Sequence, residues 1–215
     1  MSTSHRRRTL AAASAAGVLL LSACASGPGS TPAPTSTTVP SDQRLEEAHP
    51  ALPDGRVIGV GTVLDVAGDV QLCMGAIMES YPPQCQGVPL DGWTWDGVDG
   101  SESSGTTTWG QYAVYASYDG GRLTNTDQPI MLALYDTVAP EDPTGGVEGT
   151  TAEDELLRVQ DDIAARLGTE ALTVATDRGY VWLTVVWDDG TMQDAADAEY
   201  GDDVVIVTSA LREID

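Results

Sequence analysis

Val57-Ile58-Gly59-Val60-Gly61-Thr62-Val63-Leu64-Asp65-Val66 is an apolar, β-branched run that carries two glycines. Such residues suit a pleated, half-buried surface, so the run predicts a strand. Glycines inside it mark a bulge or the tight bend that closes a small barrel. Working outward, Ala67-Gly68-Asp69 is turn chemistry, and Val70 to Ile77 predicts a second strand holding Cys73. Tyr81-Pro82-Pro83-Gln84 cannot continue a central strand and reads as a rigid loop closed by Cys85. Pro89 to Trp95 predicts a third strand, and the polar, glycine- and serine-rich run from Asp96 to Thr107 an exposed loop. Trp109 to Tyr118 alternates, with Tyr112, Val114 and Ala116 on one side and Ala113, Tyr115 and Ser117 on the other. Asp119-Gly120-Gly121 turns the chain, Arg122 to Thr124 is a short return, and Pro129 to Tyr135 ends the group. About five strands with glycine bends over residues 56–138 predict a small antiparallel β-barrel, for which an OB-like arrangement is one option.

Pro140 to Gly149 is a break rich in Pro, Gly and acid, and residues 150–215 then change character. Thr150-Thr151-Ala152-Glu153 has the form of a capping box. Leu156, Val159, Ile163 and Leu167 recur at helical spacing, and Gly168 is placed to end the helix. Ala171 to Thr176 and Tyr180 to Trp187 predict strands joined at Asp177-Arg178-Gly179. Thr191 caps a short helix through about Tyr200, Val204 to Thr208 is a further strand, and Leu211 and Ile214 dock the tail. The fold class is therefore α+β: a barrel followed by an α-β-β-α-β module with its helices on one side of a small sheet.

The N-terminal part reads as a targeting device. Arg6, Arg7 and Arg8 precede an apolar stretch, Leu10 to Leu21, too short to span a bilayer, which predicts a cleavable signal over residues 1–23. Leu21-Ser22-Ala23-Cys24 has the form of a bacterial lipobox, so Cys24 is the expected lipidation site and the lipid the expected membrane anchor. An ordinary secretory signal with a chance cysteine is the bland alternative. Residues 24–55 hold prolines at 28, 32, 34, 40, 50 and 53 among Ser, Thr, Ala and Gly, which predicts a disordered spacer. Leu45 to Ala48 has room for one helical turn of no expected consequence.

Composition excludes several chemistries. The chain carries 33 acids and a net charge of −23, which becomes −26 when the signal takes away three arginines and no acid. Such a surface repels phosphate backbones, so no nucleic-acid partner is expected. Without lysine there is no Schiff base, phosphate-loop lysine or Ser-Lys pair. The only histidine beyond the signal, His49, lies in the spacer, away from any Ser-His-Asp or Cys-His system. With Cys24 assigned to lipid, Cys73 and Cys85 are an even pair in an exported chain and read as a disulfide; a metal site or reactive thiol is the rival reading, and further ligands for a metal are wanting. Asp96-Gly97-Val98-Asp99-Gly100-Ser101-Glu102 is the best oxygen-ligand cluster, but its spacing is not that of an EF-hand and a solvated acidic loop explains it. Trp93 and Trp95, two apart, share a face on a strand and are the candidate ligand-binding residues. Tyr81 and Trp109 could extend that platform for a sugar or peptide, and core packing is the competing explanation in a chain without phenylalanine.

Leu72-Cys73, then Glu79-Ser80-Tyr81-Pro82-Pro83-Gln84-Cys85 and Gly92-Trp93-Thr94-Trp95, resemble a segment of uncharacterised actinobacterial lipoproteins. The tail, Tyr200-Gly201 followed by Val204 to Val207 and Leu211, is similar to theirs. The resemblance implies an envelope location and a Cys73–Cys85 disulfide, and it carries no activity and no catalytic residue. The expectation is thus a lipid-anchored protein on the extracytoplasmic face of the cell membrane. It would be a non-catalytic module for an envelope protein, peptide or glycan, with no cofactor and no metal. The alternative is a carboxylate-dependent carbohydrate-active or hydrolytic envelope protein, for which two convergent acids would be required. A third reading is a delivery or inhibitory lipoprotein that pairs through an open sheet edge.

Overall fold

A computed structural model of the protein describes residues 44–214, all within one compact unit. The signal, Cys24 and the spacer up to residue 43 lie outside the described residues. The strands are β1 (Arg56–Val66), β2 (Asp69–Cys73), β3 (Val88–Asp91), β4 (Glu102–Ser104), β5 (Thr107–Tyr118), β6 (Leu123–Asn125) and β7 (Ile130–Met131). Helix α1 (Glu153–Leu167), β8 (Ala171–Asp177), β9 (Tyr180–Val185), α2 (Thr191–Tyr200), β10 (Val205–Ser209) and β11 (Leu211–Ile214) follow. The fold is α+β, as expected.

The order β1-β2-β3-β6-β5 closes on itself through the long β1–β5 pairing, a five-stranded barrel with OB-like order. Four of its seams are antiparallel, and the fifth, β3 with β6, is parallel. Val57, Val63, Leu72, Leu90, Tyr112, Val114 and Leu123 fill it. The register of β1 against β5 runs unbroken from Val57 to Val66, so the two glycines serve a bend and not a bulge. At Gly61 the Cys73 carbonyl of β2 lies where a Cβ would stand, 2.2 Å from its ideal position.

The second layer has the expected α-β-β-α-β order. Leu156, Val159, Ile163 and Leu167 of α1 are the residues it buries, against Val181, Leu183 and Val185 of β9. Its N-cap is Ala152, which makes no side-chain cap, so the capping box read at Thr150 to Glu153 is not formed. In α2, Asp188 accepts the Met192 N–H (2.8 Å) and Asp189 that of Thr191 (3.1 Å), in place of a Thr191 cap. The outer edge of β10 is closed by a side chain: Gln193 donates to the Val205 carbonyl at 2.9 Å and accepts from the Val207 N–H at 2.8 Å.

Two non-local links lie beyond the sequence expectation. After Ala210 the chain leaves the three-stranded sheet, and β11 pairs with β1 of the barrel, putting Leu211 into the barrel core. Residues 44–55 depart from the expected disordered spacer. Leu45 is 1% exposed within the helical core, Trp187 Nε1 donates to the Ala51 carbonyl at 2.8 Å, and the Gly55 N–H reaches Glu213 at 2.8 Å. A buried leucine and these long-range hydrogen bonds outweigh the polar composition that argued for disorder.

Arg166 holds this segment down. Its guanidinium donates to Glu46, to Asp162 (2.8 Å), to Glu199 (2.6 and 2.9 Å) and to the Tyr200 hydroxyl (3.0 Å). Glu199 also accepts the Leu45 N–H at 3.0 Å. The Arg166 hydrogen bonds hold the Glu46 and Glu199 carboxyls below their ordinary range, and the Tyr200 hydroxyl, then Arg166, do the same for Asp162. Depressed carboxyls stabilise the fold above their unfolded values and lose that contribution as pH falls through the folded ones. Docking of residues 44–48 should therefore be intact above the ordinary glutamate value of 4.5 and weaken below it. Arg166→Met should release the segment already at neutral pH, which amide exchange at Leu45 and Glu46 would report. Unchanged protection in the variant would refute the clamp.

Candidate functional site

β3 ends at Asp91, and Gly92, with φ +71°, turns the chain out of the sheet. Trp93 and Trp95 therefore sit in a loop, which corrects the expectation that they share a strand face. They meet edge to face, with ring centroids 5.2 Å apart and planes at 77°, and both lean on Tyr112, at 5.3 and 6.2 Å. The rings are partly buried against the barrel core, and Trp95 Nε1 donates to Asp65 at 2.9 Å. Among the described residues Trp93 Nε1 is enclosed without an acceptor, so packing dictates this ring's position. Rings crossed at such an angle do not make a flat platform for a sugar.

What they support is the next loop. Tyr112 is fully buried, which raises its pKa and keeps the phenol protonated; its hydroxyl donates to the Asp99 carbonyl at 2.9 Å. Gln128 donates to the Gly97 carbonyl at 3.1 Å. Loop 96–102 is thereby held against the barrel end. No group of three or more His, Cys, Asp or Glu side chains among the described residues is placed to hold a metal ion, and Asp96, Asp99 and Glu102 are not brought together as one.

The outer side of this loop forms one wall of a cleft of about 400 Å³, a size typical of small-ligand sites. Ile77 and Pro83 come from the segment between β2 and β3, Trp109 and Gln111 from β5, Glu102 from β4, and Met131 from β7. Cys73 and Cys85 form a disulfide with Cα atoms 6.1 Å apart, tying both ends of the segment that carries Ile77 and Pro83. Within it the Met78 N–H donates to the Gln84 carbonyl at 2.9 Å. Tyr81, 72% exposed, sets its ring edge-on to Trp109 at 5.3 Å. Met78 and Ile77 add exposed apolar surface beside it.

The cleft thus joins an aromatic, apolar floor to two polar side chains, Glu102 and Gln111, that have no hydrogen-bond or ion-pair partner among the described residues. Among the described residues it is lined by one carboxylate, that of Glu102. The extended aromatic platform is divided: Trp109 lines the cleft and Tyr81 packs on it, whereas Trp93 and Trp95 do not line it. Glu102, Gln111 and Met131 were not read as one site. The alternation of β5 already set Trp109 and Gln111 on one face, but only the folded chain brings Glu102 and Met131 to them. His49 lies 2.6 Å from the Glu47 carbonyl of its own segment. Compared with family models, with curated proteins and with solved structures, the chain matches none.

Proposed function

We propose that this protein is a lipid-anchored, extracytoplasmic binding protein that presents its aromatic cleft to a partner and performs no chemistry on it. The observation that carries the reading is Leu21-Ser22-Ala23-Cys24 behind three arginines and a short apolar stretch. No described helix is long and apolar enough to cross a membrane, so in this reading the Cys24 lipid is the anchor. Residues 25–43 would then be the tether, able to reach about 60 Å if extended. Arg166 would fix the point at which the tether leaves the fold.

The partner we assign is a protein segment with an apolar anchor and basic flanks. Exposed Ile77, Met78 and Tyr81 widen the apolar floor beyond one small ligand, and a body of charge −26 attracts basic sequences. A lone carboxylate in the cleft does not supply the acid pair that glycoside hydrolysis uses, which favours binding over the hydrolytic alternative.

Cys24→Ser tests the anchor. The wild-type protein should sediment with membranes and yield an N-terminal peptide bearing a diacylglyceryl group on residue 24, and the variant should lose both. An unmodified Cys24, or a variant that still sediments with envelopes, would end the proposal.

A further inference from the structure

After β7 and a single 3₁₀ turn, Leu132–Leu134, the chain runs on without regular structure, and between residues 135–141 and strands β1 and β11 it leaves a groove of about 390 Å³. Its floor is formed by Ile58 and Val60 of β1, with Val138, 67% exposed, and Pro140 at the rim. Two polar groups converge there. Arg212 Nη2 donates to the Tyr135 hydroxyl at 3.3 Å, and both residues line the groove.

The surroundings of Arg212 are unusual for this molecule. Arg44, Arg56, Arg122, Arg158, Arg166 and Arg178 each meet a carboxylate, as an acidic surface makes easy. Among the described residues Arg212 alone meets none, even though Glu141 lines the same groove. Its remaining N–H groups form a planar fork suited to an incoming carboxylate, and the Tyr135 hydroxyl can donate beside them.

We propose that this groove binds a small amphipathic monoanion, a linear hydrocarbon chain ending in a carboxylate. The tail lies on Val60 and Ile58 under Val138, and the carboxylate meets Arg212 and the Tyr135 hydroxyl. The occupant follows from the balance of forces. A strongly anionic body repels polyanions, so the ligand gains its affinity from apolar burial and carries a single negative charge to match a single cation. Glu141, in the same groove without meeting Arg212, repels the carboxylate and so lowers the affinity. The inference is independent of both the lipid anchor and the aromatic cleft.

The test uses the full chain carrying Cys24→Ser, stripped of co-purifying lipid and titrated calorimetrically with decanoate. Saturable one-to-one binding is expected, with decyltrimethylammonium, of equal tail length and opposite charge, at least about tenfold weaker. Arg212→Gln should weaken decanoate by about tenfold or more, whereas Glu141→Gln should tighten it. Val138→Asp, on the exposed rim where folding is unaffected, should weaken it through the tail. The proposal falls if decanoate does not saturate, if the cationic amphiphile binds equally well, or if a folded Arg212→Gln binds decanoate as the parent does.

Discussion

Gly61→Ala is expected to destabilise the protein by about 3 kcal/mol or more, or to prevent folding, because the added methyl has nowhere to go. Gly61 lies in β1 opposite Tyr112 of β5, at the point where β2 ends and the barrel bends. An ideal Cβ there would stand 2.2 Å from the Cys73 carbonyl oxygen and 3.0 Å from its carbon. These are backbone atoms of a strand hydrogen-bonded on both sides, so relief means moving the strand. Gly59, two residues earlier, gives a graded comparison: its neighbours are the tips of Leu211, Leu72 and Met74, which can rotate, so Gly59→Ala should cost less. Gly121→Ala, with nothing within 4 Å, should stay within about 0.5 kcal/mol of the parent. Urea unfolding of the three variants checks the order. A Gly61→Ala protein as stable as Gly121→Ala would mean that the barrel does not close as described.

Replacing both Cys73 and Cys85 by serine should have the next largest effect. The bond closes a separation of 12 residues, and releasing such a loop costs about 3 kcal/mol in the chain-entropy model. The segment it releases has few other restraints: the Met78–Gln84 backbone pairing, the Ser80 hydroxyl on the Pro82 carbonyl, and the Tyr81 ring on Trp109. Its apolar side chains are largely exposed and lend it little burial. The wall of the aromatic cleft should therefore loosen before the barrel does. In the double variant, amide protection should fall first across residues 76–84, and Trp109 should become more accessible to an aqueous quencher. Protection lost evenly over the whole barrel would show that the bond supports the fold as a whole and not the cleft wall.

Elements with strong local periodicity were legible from residues alone. Leu156, Val159, Ile163 and Leu167 report one buried helical face, and the alternation from Trp109 to Tyr118 puts Tyr112, Val114 and Ala116 inside the barrel. Here each side chain's neighbours are set by a spacing of three, four or two, which the chain itself carries. The candidate site was legible only in part. Trp93 and Trp95 read as one face because a strand was extended past Asp91, and the left-handed turn at Gly92 removes them from it.

By itself, then, the amino-acid order determined an α+β chain, a glycine-bent small barrel ahead of an α-β-β-α-β layer, and an even cysteine pair suited to a disulfide. Tertiary structure alone decided that the last strand crosses to β1, that Leu45 fills a core more than a hundred residues away in sequence, and which side chains line the two clefts. The reason is physical: local pattern records how much of a side chain prefers to leave water, whereas its partner is chosen by whichever distant surfaces can close together at the smallest cost in chain entropy.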